Sequence, residues 1–361
     1  MRVLVYGAGR MAQAIAGVLA GDPSVETLLV SPDPDGTAPR AAVAHRTGAS
    51  VADMGRLLQG TDAVIMAGEV WAGTADIARM ARRWGCHYLD VTENPASSAA
   101  IATIAEGAAQ GFAPGCGLAP GYVTALVADH LRDLGPLGRI TAHVGVLPAR
   151  RTNRLGYGNL WGVDGLLVEY TNPCRAIRDG RATDLPPLTE AEAVQLGGET
   201  FESFTTAGSL DDLVARAEGQ IGALVFKTLR YPGHLDYIRL LMEDLGLARN
   251  RHLLRSLLMN GLPLIEDDRV LIALDIQRGP GQPVRRLEQQ IRATQDSTGH
   301  WHSAGLGATA AHVCAMTDLL CRGQLDRAGH IAPGSVPLSL LRRSPYFAPL
   351  HAETMLPTME A

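Results

Sequence analysis

Near the start of the chain, the apolar run Arg2-Val3-Leu4-Val5-Tyr6 stops at Gly7-Ala8-Gly9-Arg10-Met11-Ala12, and helical apolar spacing begins at once, from Met11 to Leu19. A strand that passes straight into a helix through two glycines has few solutions. Gly7 permits the tight turn, Gly9 lets an anion approach the backbone, and Ala12 lets helix and strand pack closely. The helix start adds N–H groups and the positive end of its dipole, so the loop predicts a bound pyrophosphate. Gly7, Gly9, Arg10, Met11 and Ala12 are therefore the first candidate cofactor-binding residues.

The following hundred residues keep the same rhythm. Strands are expected at Thr27–Val30, Ala63–Met66 and His87–Val91, with helices at Thr74–Trp84 and Ala96–Gln110. Strands separated by helices imply a parallel sheet covered on both faces. From Gly111 the pattern changes to a glycine- and proline-rich loop that runs to Gly121. Beyond a helix at Tyr122–Leu134 the chain reads as α+β. Strands are expected at Arg139–Leu147, Val225–Arg230 and Arg269–Ile276, and helices at Leu235–Leu245, Arg251–Gly261 and Ala308–Arg322. The expected fold is α/β, a doubly wound Rossmann sheet over 1–120 and a second α+β domain over 121–306. Residues 307–361 are expected to form a last helix and tail that return to the Rossmann domain, with the proline-rich stretch from Ile331 packed on its surface.

Composition excludes other classes. A net charge of -5 over 361 residues, with no basic stripe, argues against nucleic acid. No apolar run reaches the roughly 18 to 20 residues of a membrane span. The apolar stretch after Met1-Arg2 ends at Gly7, too soon for a signal peptide, so a cytoplasmic protein is expected. Cys86, Cys116, Cys174, Cys314 and Cys321 are odd in number and widely spaced, which suits free thiols rather than disulfides or zinc. His300 and His302 flank Trp301 with no third ligand at a suitable spacing, so no metal is expected.

The end of the second strand tells NAD from NADP. Ser31 stands at the position where an acidic residue holds the ribose 2′-hydroxyl, which favours NADP, with Arg10 and Arg40 as added charge. Asp33, two residues on, can still reach a ribose. Gly68, just past the third buried strand, and Gly117 are further cofactor candidates. Lys227 is the only lysine among 32 lysines and arginines. An amine can lose its proton where guanidinium cannot, so Lys227 is a candidate acid/base.

Four segments in this order behind the glycine loop carry a resemblance: Gly115-Cys116-Gly117-Leu118-Ala119-Pro120-Gly121, Glu169-Tyr170-Thr171-Asn172-Pro173, Lys227-Thr228-Leu229-Arg230-Tyr231-Pro232-Gly233-His234, and the helix around Thr309 to Gly323. Together they resemble the saccharopine dehydrogenase-like family, and within it the lysine 6-dehydrogenases. The resemblance implies hydride transfer between nicotinamide and a carbon bearing an amine, in an amino acid or polyamine-like substrate. It also implies a homodimer, formed through the second domain. Condensation of an aldehyde or keto acid with an amine, as in saccharopine or carboxynorspermidine formation, is the alternative; a non-catalytic dinucleotide sensor is another.

Amine oxidation needs a base for the N–H proton and anchors for the substrate. His234 has a suitable intrinsic pKa, and Lys227 is the other candidate catalytic group. Arg230 suits a substrate carboxylate. On one strand, however, Lys227 and Arg230 point to opposite faces unless the strand bends near Thr228. Glu93 either meets the substrate amine or caps the next helix. Glu169 either meets the amine or pairs with an arginine. Cys116 and Tyr157 complete the candidate substrate-binding set.

Overall fold

The computed structural model describes residues 1–35, 43–68, 73–351 and 353–355. The chain divides into two compact units, Met1–Leu126 with Leu306–His351, and Val127–Gly305 with the short stretch 353–355.

In chain order the first unit contains β1 (Arg2–Tyr6), α1 (Arg10–Ala20), β2 (Glu26–Val30), β3 (Ala44–Arg46), α2 (Val51–Leu57), β4 (Ala63–Met66), α3 (Thr74–Trp84), β5 (His87–Asp90), α4 (Pro95–Ala105), β6 (Gly111–Ala113) and the start of α5 (Tyr122–Leu131). The second contains β7 (Arg139–Pro148), α6 (Val163–Thr171), β8 (Cys174–Arg178), β9 (Arg181–Leu185), β10 (Glu192–Leu196), β11 (Glu199–Thr205), α7 (Asp211–Ala217), β12 (Ala223–Arg230), α8 (His234–Arg239), α9 (Arg251–Gly261), β13 (Asp268–Gln277), β14 (Arg285–Arg292) and a small hairpin, β15 (Thr294–Gln295) and β16 (Trp301–His302). Then come α10 (Ala304–Cys321), β17 (Gly329–His330) and β18 (Glu353–Met355).

Among the described residues the first sheet runs β17-β6-β5-β4-β1-β2-β3, with every pairing parallel. Such a sheet is covered on both faces, and β4 is accordingly apolar and buried at every residue. Helix α1 buries Ala12, Ile15, Ala16 and Leu19, one stripe at helical spacing. A fully buried aliphatic side chain contributes about 1.5–3 kcal/mol, so Val3, Leu4, Ile15 and Leu19 hold β1 and α1 together.

The second sheet runs β10-β11-β12-β7-β13-β14-β18, with the β8–β9 hairpin joined to β12. Its β12–β7 pair is parallel and the others are antiparallel. Strand β12 is buried at all eight positions. One core gathers Leu229, Phe201 and Phe204 of the sheet with Leu166, Leu167 and Tyr170 of α6 and Leu254 and Leu258 of α9.

Four expectations change. Helix α4 stops at Ala105, and the stretch read as loop from Gly111 opens with β6, which pairs β5 and β17. The helix expected over Leu235–Leu245 is α-helical only to Arg239 and continues as a π-turn over Leu240–Asp244. The tail is not a surface appendage, because Ile331, Leu338, Leu341, Phe347 and Leu350 are buried. Helix α10 is long and apolar enough to cross a membrane, but 89% of it is buried, which marks it as a core helix.

Candidate active site

The glycine loop is a tight βα turn. A Cβ on Gly7 would lie 2.8 Å from the Ala67 carbonyl oxygen and 3.0 Å from the Ala12 Cβ, so no side chain fits where α1 packs on the strand ends. A Cβ on Gly9 would meet nothing within 4 Å, which leaves open space beside the backbone. Gly9 caps α1 with no side-chain hydrogen bond, and the first turn holds no acidic residue. This combination of an open cradle, a helix start without a polar cap and no carboxylate fits a pyrophosphate. Arg10 and Met11 form the first turn of α1 and Ala12 is buried under it.

At the end of β2, Ser31 is buried and its hydroxyl lies 3.2 Å from the Asp33 carbonyl and 3.1 Å from the Asp33 amide. That turn uses the hydroxyl, while the Asp33 side chain is exposed. Arg40 and the residues just after Gly68 lie outside the described residues.

Across the sheet, Asp90 at the end of β5 is fully buried. Its carboxylate accepts from the Thr92 amide at 3.0 Å, the Gly115 amide at 2.9 Å and the Tyr88 hydroxyl at 2.9 Å. The Cys116 amide donates to the Asp90 carbonyl at 2.7 Å. The loop closes further on, where the Tyr122 amide donates to the Gly117 carbonyl at 3.0 Å. Gly121 sits at φ 123°, and a Cβ there would lie 2.1 Å from that carbonyl, so only glycine completes the turn. Burial pushes the Cys116 thiol pKa well up, which keeps it protonated and a poor nucleophile.

In the second unit, Arg230 ends β12 with its side chain buried. Its guanidinium lies 4.8 Å from the Tyr157 ring centre and 5.7 Å from that of Tyr170. Four of its five N–H groups have partners: Nε donates to the Tyr170 hydroxyl, one terminal nitrogen to Thr228 Oγ1 and the Leu229 carbonyl, and the other to Glu169 at 3.2 Å. His234, fully buried at the start of α8, has Nδ1 2.9 Å from the Leu155 carbonyl. A carbonyl only accepts, so Nδ1 carries the proton and Nε2 accepts from the Tyr170 hydroxyl at 2.8 Å. The polarity therefore runs from Arg230 through Tyr170 to His234. Burial and the Arg230 charge lower the His234 pKa to about 3, so its ring is neutral.

Glu169 is the part of this chain that reaches outward, with its side chain 15% exposed. Burial pushes its carboxyl up to about 7, against the opposing pull of Arg230. A carboxylate held near neutrality beside a fixed guanidinium can take or return a proton.

Residues 117–355 match the saccharopine dehydrogenase C-terminal domain, and residues 3–112 match the saccharopine dehydrogenase NADP binding domain. The chain belongs to the saccharopine dehydrogenase family. Solved structures agree in fold. Saccharopine dehydrogenase (L-Glu forming) from Saccharomyces cerevisiae superposes with a TM-score of 0.77 at 15% identity, covering 99% of this chain and 100% of that one. Homospermidine synthase from Legionella pneumophila, in complex with NAD, gives 0.68 at 10% identity, covering 98% and 91%.

Within this saccharopine dehydrogenase-family chain, Arg230, His234, Glu169 and Tyr157 come together. Lys227 does not join them. Strand β12 is unbroken, so Lys227 faces the other way and binds Glu192 at 2.6 Å and the Glu190 carbonyl at 2.8 Å. Glu93 lies between β5 and α4, and the cap of α4 is Asn94, which accepts from the Ala96 and Ser97 amides. Tyr170, Thr228 and Asp90 had not been singled out. Tyr170 and Thr228 stood inside the segments that carry the family resemblance, and Asp90 at the carboxyl end of a parallel strand, the edge where ligands bind.

Proposed function

We propose that this protein is a nicotinamide-dinucleotide-dependent oxidoreductase that acts on a C–N bond of an amino acid or amine. The carrying observation is Glu169, a largely buried carboxyl raised toward neutrality and backed by the fixed Arg230–Tyr170–His234 chain. Gly7 to Ala12 would hold the coenzyme, which would supply the hydride acceptor for the carbon that bears the amine. Such an oxidation also needs a base for the N–H proton, the role we assign to Glu169, and water would hydrolyse the resulting imine to an aldehyde and a free amine or ammonia. Arg230 keeps Glu169 in place and leaves at most one N–H for a substrate, so it orients the base rather than clamping a carboxylate.

The finer reading is oxidation of a terminal amine, as in lysine 6-dehydrogenase. The site presents a carboxylate outward, which suits a substrate ammonium better than an additional substrate carboxylate. On the coenzyme, the buried and engaged Ser31 hydroxyl weakens the reason to prefer NADP. The exposed Asp33 carboxylate would accept from ribose hydroxyls and repel a 2′-phosphate, so the assay compares NAD with the NADP that the uncharged Ser31 favours. A homodimer is part of this reading, and sedimentation velocity measures it.

The test mixes the protein with oxidised NAD or NADP and a panel of diamines, lysine and other ω-amino acids, and follows the near-ultraviolet absorbance of reduced nicotinamide. Turnover is expected with a terminal amine, rising with pH as Glu169 ionises through about 7. Glu169→Gln should lower kcat by roughly 100-fold or more and flatten that limb. Full turnover by E169Q removes Glu169 as the base. No turnover with any amine, and none in reverse with aldehyde plus amine, removes the dehydrogenase reading.

A further inference from the structure

Helix α10 is almost wholly apolar, yet it carries one imidazole in its middle. His312 is buried, with Nδ1 3.0 Å from the Cys116 carbonyl, and the Gly117 backbone is also within hydrogen-bonding reach. Burial lowers its pKa to about 4, so the ring is neutral and Nδ1–H donates to the carbonyl. The same short segment is also tied to β5, since the Gly115 and Cys116 amides donate to Asp90 at its end. Gly115 to Gly117 is thus held between a strand end and a helix by bonds of fixed direction.

The sheet order says which half of a dinucleotide meets this segment. Strands β2 and β3 lie on one side of β1, and β4, β5 and β6 lie on the other. The pyrophosphate sits at the loop after β1 and the adenosine ribose at the end of β2. The nicotinamide half therefore extends toward β4 and β5, where the Gly115–Gly117 segment stands.

We propose that His312 is a positioning residue for the nicotinamide half of the coenzyme, acting through the Cys116 carbonyl it holds. This rests on the dinucleotide reading above. The test compares binding of reduced NAD with binding of ADP-ribose, which has the adenosine and pyrophosphate but no nicotinamide. Both are followed by titration calorimetry on the full chain.

His312→Leu keeps the bulk and removes the donor. With the Cys116 carbonyl no longer fixed, it should weaken binding of the reduced coenzyme about tenfold and leave ADP-ribose unchanged. His312→Asn places its amide nitrogen where Nδ1 stood and should restore affinity. His312→Gln places it at the Nε2 position and should not, which provides a second measurement should H312L fail to fold. Equal loss for both ligands means general damage and overturns the proposal, as does no loss for either. A wild-type protein that binds none of reduced NAD, reduced NADP and ADP-ribose overturns the dinucleotide reading itself.

Discussion

Lys227 and Arg230 stand three residues apart on one strand, and parity decided their fates. Side chains alternate along a strand, so an odd offset sends them to opposite faces. With β12 unbroken, Lys227 found Glu192 and Arg230 found Glu169, partners 35 and 61 residues away in the sequence. The opposite faces were legible in the sequence; the identities of the two carboxylates were not. Lys227→Arg keeps the charge facing Glu192 and is expected to preserve turnover. Lys227→Met should lower the unfolding free energy by about 0.5–1.5 kcal/mol, because it removes the Lys227 hydrogen bonds to the Glu190 carbonyl and Glu192 at a partly buried site. Steady-state kinetics and urea unfolding read the two quantities. Loss of turnover in K227R at unchanged stability would return Lys227 to the chemistry as a proton carrier.

Two helices with clear helical spacing and one unbroken apolar strand were readable to the residue. Helices α3 and α9 and strand β4 have the limits expected from spacing alone. Strand β3 and helix α2 were not. Strand β3 has three residues, and α2 has seven, held by a capping box between Ser50 and Asp53, so neither spans enough residues to show a period. The meander β8 to β11 is partly exposed along its length and derives its order from pairing rather than from apolar alternation. The βα turn at Gly7 and Gly9 allows a prediction that separates folding from binding. Gly7→Ala drives a Cβ into the Ala67 carbonyl and should cost about 1–3 kcal/mol of stability as well as coenzyme affinity. Gly9→Ala meets no protein atom, so thermal unfolding should be unchanged while coenzyme affinity falls at least tenfold, read by fluorescence titration of the reduced coenzyme. Unchanged affinity in G9A would show that no phosphate passes beside Gly9.

For the molecule as a whole, two buried neutral histidines tie stability to pH. The His234 pKa is lowered to about 3 and the His312 pKa to about 4, from 6.5 in an unfolded chain. Below 6.5 the unfolded chain takes up protons that the folded protein refuses, so stability present above that pH is lost as pH falls toward 4. Each group can add a slope of up to about 1.4 kcal/mol per pH unit. Urea unfolding across this range should show the decline, and the double variant H234Q/H312Q should show a shallower one. An identical slope in the double variant would mean that other groups govern acid unfolding.

Local patterning alone determined the glycine loop, the alternating first unit with its parallel sheet, and the long helices, because each of these rests on residues close together in the chain. The family resemblance, too, rested on short contiguous segments. Tertiary structure decided what those patterns do not encode. It joined Leu155, Glu169, Tyr170, Arg230 and His234 into one hydrogen-bonded chain, brought His312 to Cys116 across 196 residues, and returned the proline-rich tail to the core. Burial and a neighbour's charge set the protonation of such groups, and both exist only once distant strands and helices have packed.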